Sequence, residues 1–161
     1  MFQNASSAPS FKELCLEMRD VASEFSSIHR SYLEFFPEEL SHGLFSSRAI
    51  SKKTAFQPYY DYASAVNRWL ERMEDVILKV SGYMLNADQE MRPSDVIPCN
   101  TLMLQYAQMR GALIDSLAQG EALLRGEAET LFPSELFHYG TQARERVEQF
   151  SAFIEQELQG L

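Results

Sequence analysis

A chain of 161 residues is long enough to bury a hydrophobic core without disulfides or metal ions, so we expect a single domain over residues 1–161. Its formal net charge of −9 argues against DNA or RNA as a partner, because phosphate backbones are bound by clustered Lys and Arg. The sequence contains no stretch of about 18 consecutive apolar residues and no secretion signal, which predicts a cytoplasmic protein without a membrane span.

The N-terminal part of the chain predicts a short arm followed by a long helix. Residues 1–9 are mostly small and polar, and we expect them to form a flexible arm. Ser10 and Glu13 have the S-x-x-E spacing of a capping box, which marks the start of a helix. From Phe11 onward, apolar residues recur at steps of three and four in one unbroken seam until Pro37. The first predicted helix spans this whole seam.

Residues 43–55 lose the helical periodicity and predict a long loop between the first and second helices. The loop carries a local basic cluster formed by Arg48, Lys52 and Lys53. Two interpretations are open: the cluster binds an anion, or it belongs to a solvated loop that balances nearby acidic residues. Three charges without interleaved aromatic residues favour the solvated loop.

The second predicted helix begins near Thr54–Pro58 and carries two apolar stripes. One stripe runs from Tyr59 to Met84 at helical spacing. The other has one residue per heptad and comprises Tyr62, Trp69, Val76 and Tyr83. An apolar face of this width contacts two neighbouring helices, as in a bundle.

Aromatic residues concentrate on this second helix. Because Tyr59, Tyr60 and Tyr62 cannot all face inward from one helix, some aromatic surface must be exposed. Exposed aromatic side chains on an acidic protein are typical of protein-protein contacts. The sequence therefore predicts a partner-binding surface that comprises Tyr60, Tyr62, Trp69 and Tyr83.

The C-terminal half predicts two more helices. Residues Pro93–Asn100 are expected to form a turn, and the third helix after it contains Gly111, Gly120 and Gly126, each costing about 1 kcal/mol against Ala. Its small residues either admit another helix closely or mark a bendable segment. Pro133 opens the fourth helix. Four amphipathic helices without strand-like alternation predict an all-α four-helix bundle of two helical hairpins, most simply up-down-up-down.

A repeated motif, F-P-x-E-L-x-H, occurs at residues 36–42 and 132–138, and a glycine follows each copy within two residues. Both copies stand at the end of an odd-numbered predicted helix, as the tandem duplication of a helical hairpin would produce. The ordinary interpretation of the motif is a helix corner, in which proline opens the new helix and a carboxylate faces its first turn.

The same motif has an alternative interpretation as a metal site. Each copy places Glu and His three residues apart, on one helix face: Glu39 with His42, and Glu135 with His138. Ferritin-like bundles hold di-iron centres with two such pairs and two further carboxylates. Iron, manganese or zinc would be the bound ion. Ferritin-like ligands lie in mid-helix, however, whereas these pairs lie beside prolines and glycines, which favours the helix corner.

The functional prediction is a protein-protein interaction module, such as an adaptor, a chaperone-like protein or an inhibitory subunit. No signature of a catalytic nucleophile, a nucleotide loop or a zinc protease occurs, and the chain has three histidines, so we expect neither enzymatic activity nor a cofactor. A basic protein and a second copy of the chain are both open as partners. The metal-binding helical bundle is the alternative function.

Overall fold

The computed structural model describes residues 9–34, 49–85 and 93–161. This part of the chain is almost entirely helical, which confirms the predicted all-α class. Its helices and its two very short strands are, in chain order, α1 (Phe11–Ser23), α2 (Phe25–Glu34), β1 (Ile50–Ser51), α3 (Lys52–Leu85), α4 (Pro93–Arg125), β2 (Thr130–Leu131) and α5 (Pro133–Gln159). The Ser10 hydroxyl oxygen accepts the Glu13 N–H at 3.1 Å, so α1 begins at the predicted cap.

α3 and α5 each pack against three other helices. α1 and α2 follow one another and together pack against α3 and α5, and α4 packs against the same two helices. Salt bridges join Lys79 to Glu17 at 2.7 Å and Arg72 to Glu24 at 2.9 Å, so α3 runs opposite to α1. These neighbours are consistent with the predicted up-down-up-down arrangement.

The contacts between α3 and α4 also run in opposite directions. The Tyr59 hydroxyl near the start of α3 donates to the Leu117 carbonyl oxygen, and the Tyr106 hydroxyl donates to the Leu70 carbonyl oxygen at 3.3 Å. The two helices are therefore antiparallel, and residues later in α3 contact residues earlier in α4. This order fixes which exposed residues of the two helices lie side by side.

Both apolar stripes of α3 are buried. Trp69 has no exposed surface and Tyr62 is 4% exposed, so the second stripe belongs to the core together with the first. The Trp69 ring packs edge-on against Phe25, with ring centroids 5.0 Å apart, and Tyr62 stacks on Tyr32 at 4.3 Å. The predicted wide face is thus used inside the fold as far as Val80, and Tyr83 beyond it is half-buried.

The unbroken first helix that the sequence predicts is interrupted at Glu24. The backbone N–H of Glu24 donates to the Val21 carbonyl oxygen at 3.1 Å, a tighter turn than an α-helix makes. The Trp69 Nε1–H donates to the same oxygen at 2.6 Å. A side chain inserted into the backbone hydrogen-bond ladder is a physical cause of helix breaks.

The helix starts also differ from the prediction. β1 pairs antiparallel with β2, and the Lys52 N–H donates to the Glu129 carbonyl oxygen at 3.0 Å, so α3 starts at Lys52 inside the predicted loop 43–55. α4 starts at Pro93 and includes the segment predicted as a turn. Pro58 and Pro98 therefore lie inside helices, each in the second turn, where a proline removes a single backbone hydrogen bond.

Gly120 is required by close packing between α3 and α4. A Cβ atom at this position would overlap the Tyr59 phenol, whose Cζ would lie 2.5 Å away. Because the Tyr59 hydroxyl donates to the Leu117 carbonyl oxygen, the ring cannot move without losing a buried hydrogen bond. The glycine that weakens the helix in the sequence thus admits a neighbouring side chain.

Replacement of Trp69 tests how much its packing and its hydrogen bond to Val21 at the helix break stabilise the fold. We expect Trp69→Phe to lower the free energy of unfolding by about 1–3 kcal/mol, because it removes both buried volume and the donor to Val21. Chemical denaturation followed by circular dichroism measures the change. Tyr60→Phe, an exposed aromatic position on the same helix, is the control and should stay within about 0.5 kcal/mol of wild type. Equal stability of the two variants would contradict the assigned role of Trp69.

A pair of glycine variants tests the packing at Gly120. Gly120→Ala should lower the free energy of unfolding by about 1–3 kcal/mol, because the added methyl group overpacks against Tyr59. Gly82→Ala should be neutral or stabilising by up to about 1 kcal/mol, because a Cβ there meets no atom within 4 Å. Thermal unfolding of both variants measures the difference, and an equal response at the two positions would refute the packing argument.

Candidate functional site

The second copy of the repeated motif forms a helix corner at the start of α5. The Glu135 carboxylate accepts the Phe132 N–H at 3.0 Å, and the Phe132 carbonyl oxygen accepts the Glu135 N–H at 2.9 Å. Pro133 occupies the first position of the helix, and Leu136 is fully buried. This is the corner that the ordinary interpretation predicts. The first copy, residues 36–42, lies outside the described residues.

Two of the four predicted metal ligands, Glu135 and His138, lie among the described residues. Glu39 and His42 lie outside the described residues. Glu135 is engaged in the cap of α5, and His138 is exposed, with its ring 5.6 Å from the ring of Tyr139. Among residues 9–34, 49–85 and 93–161, no three His, Cys, Asp or Glu side chains are grouped so that they could hold a metal ion. The metal site remains a prediction.

The predicted anion-binding loop is partly engaged in the fold. The Lys52 ammonium donates to the Gly126 carbonyl oxygen at 3.0 Å, just beyond the end of α4, where a positive charge is favourable. Lys53 is exposed, and its backbone N–H donates to the Ser51 hydroxyl oxygen. Arg48 lies outside the described residues. Lys52 therefore acts as a cap for α4, which the sequence reasoning did not foresee.

The predicted partner-binding residues divide between the surface and the core. Tyr60 is 59% exposed and stacks on Phe56, with ring centroids 5.9 Å apart. Tyr62 and Trp69 are buried against α2 and α1 and present no surface to a partner in this fold, which corrects their assignment. Tyr83 is half-buried, 6.4 Å from the ring of Phe11. Tyr60 alone of these four offers a largely exposed ring.

A larger exposed apolar surface lies on α3 and α4. Ten large hydrophobic side chains are exposed in the described part of the chain, and only Phe132 and Leu161 of these lie elsewhere. We call the surface formed by the other eight the hairpin face: Phe56, Tyr60, Leu78, Leu85, Val96, Ile97, Leu104 and Ile114. This concentration on one pair of neighbouring helices distinguishes the hairpin face from scattered surface hydrophobes.

α4 contributes an apolar seam on the side opposite to its core residues. Going along the helix in steps of three and four, the seam contains Ile97, Asn100, Leu104, Ala107, Gly111, Ile114 and Ala118, all of them exposed. Ile97 is 75% exposed and Leu104 is 57% exposed. The sequence carries this signal, because an irregular core seam and numerous small residues indicate a helix that is apolar on two sides. Close approach of another helix is one of the two interpretations that the small residues of this segment leave open in the sequence.

α3 contributes four residues along its edge next to α4. Burial raises the pKa of Tyr106 to about 12, and the negative charge of Glu74 adds to this increase, so Glu74 lies close to α4. By helical periodicity Phe56, Tyr60, Leu78 and Leu85 lie on the same side of α3 as Glu74. The exposed residues of the two helices therefore form one surface rather than two.

A buried polar cluster lies between α2, α3 and α5. His29 is 4% exposed, its ring is 6.5 Å from that of Tyr62, and a Cβ at Gly140 would contact its ring at 3.6 Å. Burial lowers the pKa of His29, the positive charge of Arg144 lowers it further, and Glu148 partly opposes both. The nearby groove of about 330 Å³ contains Asp61, whose carboxylate accepts a hydrogen bond from Gln57 at 2.8 Å. These contacts give His29 a packing role.

Comparison with protein-family models, curated proteins and solved structures finds no match for this chain. Within the described ranges, none of the helices has the length and apolar composition needed to cross a membrane. We therefore infer the function from the surface of the molecule itself.

The buried histidine predicts a pH dependence of stability. Its pKa is lower in the folded state than the ordinary value of 6.5, so the unfolded chain binds the proton more readily. The contribution of neutral His29 to the free energy of unfolding is therefore present above pH 6.5 and is lost as the pH falls below this value. Thermal unfolding between about pH 7.5 and 5.5 should show a loss of stability for the wild type that is smaller in His29→Gln. The exposed-site control His138→Gln should keep the wild-type slope; an unchanged slope in His29→Gln would refute the prediction.

Proposed function

We propose that this protein is a non-enzymatic protein-protein interaction module, an adaptor, chaperone-like protein or inhibitory subunit, that binds through the hairpin face. The observation that supports this function is the gathering of eight of the ten exposed large hydrophobic side chains on that one surface. Contiguous exposed apolar patches on soluble proteins mark sites of association.

The size of the hairpin face supports a stable contact. If the roughly 200 Å² of an aromatic side chain is taken as an upper value for each residue, the exposed fractions of the eight residues amount to at most roughly 900 Å². The largest apolar patch on a typical monomer is about 300–600 Å², and each partner in a standard interface buries about 800 Å². The hairpin face is thus of the size expected for an interface.

The composition of the hairpin face also resembles that of an interface. Phe56 and Tyr60 provide a stacked aromatic pair at one end, and aromatic side chains are enriched in interface cores. Leu104 lies near the middle of the α4 seam and has the exposure of a side chain that a partner could bury. The net charge of −9 favours encounter with basic proteins, although the α4 seam itself has no acidic residue with which a basic side chain could pair.

Affinity capture with surface variants tests the proposed function. The wild-type chain should retain a protein in stoichiometric amount, and Leu104→Glu should lose it. A charge in the centre of an apolar contact weakens binding by about 2–4 kcal/mol. Leu161→Glu introduces the same change at an exposed leucine outside the hairpin face and should retain the protein. The proposal would be refuted if neither the wild type nor the Leu161→Glu control retained a protein and the chain instead turned over a small molecule.

A further inference from the structure

We propose that the occupant of the hairpin face is a second copy of this chain, with the two α4 helices antiparallel across a twofold axis near Ala107. This inference rests on the proposed function and names its partner. A twofold interface requires a surface that is complementary to itself, so the distribution of bulky, small and charged residues along the hairpin face decides whether a second copy fits.

The α4 seam is self-complementary in volume. Its first half carries Ile97, Asn100 and Leu104, and its second half carries Gly111, Ile114 and Ala118. A Cβ placed at Gly111 would meet nothing within 4 Å, so the surface is open at this point. When two such helices run antiparallel about Ala107, Ile97 lies over Ala118 of the other copy and Leu104 lies over its Gly111, which allows the helices to approach closely. Asn100 then lies over Ile114 of the other copy.

The edge of α3 shows the same complementarity. The hydrogen bond from Tyr59 to Leu117 places Phe56 and Tyr60 beside the second half of α4. Leu78 and Leu85 lie further along α3, beside the first half of α4. The twofold axis that pairs the α4 helices would bring the aromatic pair of one copy against the two leucines of the other. The α3 edge thus adds apolar area at both ends of the contact.

The charge distribution allows two acidic copies to associate. Each copy carries a net charge of −9, so a contact that buried carboxylates would be strongly unfavourable. The α4 seam from Ile97 to Ala118 contains no charged residue, and the charged residues of this segment, Arg110 and Asp115, lie on its flanks. A second copy therefore meets a neutral α4 seam, whereas the α3 edge carries the exposed carboxylate of Glu74 between Tyr60 and Leu78. The area that each copy offers, at most roughly 900 Å², is close to the ~800 Å² per partner of a stable dimer.

Mass measurement is the primary test. Sedimentation equilibrium or light scattering of the full chain should give twice the monomer mass of 18.4 kDa for the wild type and for Leu161→Glu. Leu104→Glu should give the monomer mass, a twofold reduction, with an unchanged circular dichroism spectrum because Leu104 is exposed. A dimer that persists in Leu104→Glu would overturn the proposal, since another surface would then form it.

Cysteine cross-linking tests the twofold geometry. Ala107→Cys places one thiol of each copy at the axis, and mild oxidation should give a disulfide-linked dimer. The wild-type chain is the first control, because Cys15 and Cys99 are both buried. Asp20→Cys, at an exposed position of α1, is the second control and should not cross-link efficiently. Equal cross-linking of Ala107→Cys and Asp20→Cys would refute the antiparallel α4 contact.

Failure of this inference is distinguishable from failure of the proposed function. A monomeric wild type at high concentration overturns the second copy as occupant. If that monomer still captures a different protein in a manner that Leu104→Glu abolishes, the interaction module stands and only the partner changes. If it captures nothing through the hairpin face, the proposed function is overturned as well.

Discussion

The packing of Trp69 against α1 and α2 is the interaction on which the rest of the structure depends. Its indole fills the space beside Phe25 and donates to the Val21 carbonyl oxygen at the break between the two helices. This contact turns one apolar stripe of α3 toward α1 and α2, while the other faces the centre of the bundle. Because both stripes are buried as far as Val80, the rotation of α3 about its own axis determines which of its residues remain exposed.

This rotation places the remaining apolar residues of α3 next to α4. Tyr59 reaches α4 and requires Gly120 there, so the two helices lie close together at this end. Phe56 and Tyr60, one to three residues away, then project at the edge of the same helix pair. The spacing of Phe56, Tyr59 and Tyr60 along α3 thus determines both the close contact between α3 and α4 and the exposed aromatic pair at their edge.

The sequence predicted local features well and long-range ones poorly. The capping box at Ser10 and the corner at Pro133 depend on residues within one helical turn, and both were found. The break at Glu24 and the helix start at Lys52 could not be predicted, because they depend on Trp69 and on the strand at residues 130–131. The width of the apolar face of α3 predicted two neighbouring helices, and Tyr62 is buried against one of them. Its assignment to the exposed surface failed because helical spacing alone does not show which of Tyr59, Tyr60 and Tyr62 faces outward.

The small residues of α4 are the signal in the sequence from which the candidate surface could have been found. The glycines among them, however, are required by different contacts. Gly120 has an internal explanation, since Tyr59 occupies the space of its missing side chain. Gly111 has none among the described residues: a Cβ there would meet open space, and glycine in an exposed helix interior costs about 1 kcal/mol against alanine. Close approach of another helix is the contact that would make Gly111 favourable. The position of Gly111 midway along an uncharged, exposed seam is therefore the feature of the fold that best supports the proposed association.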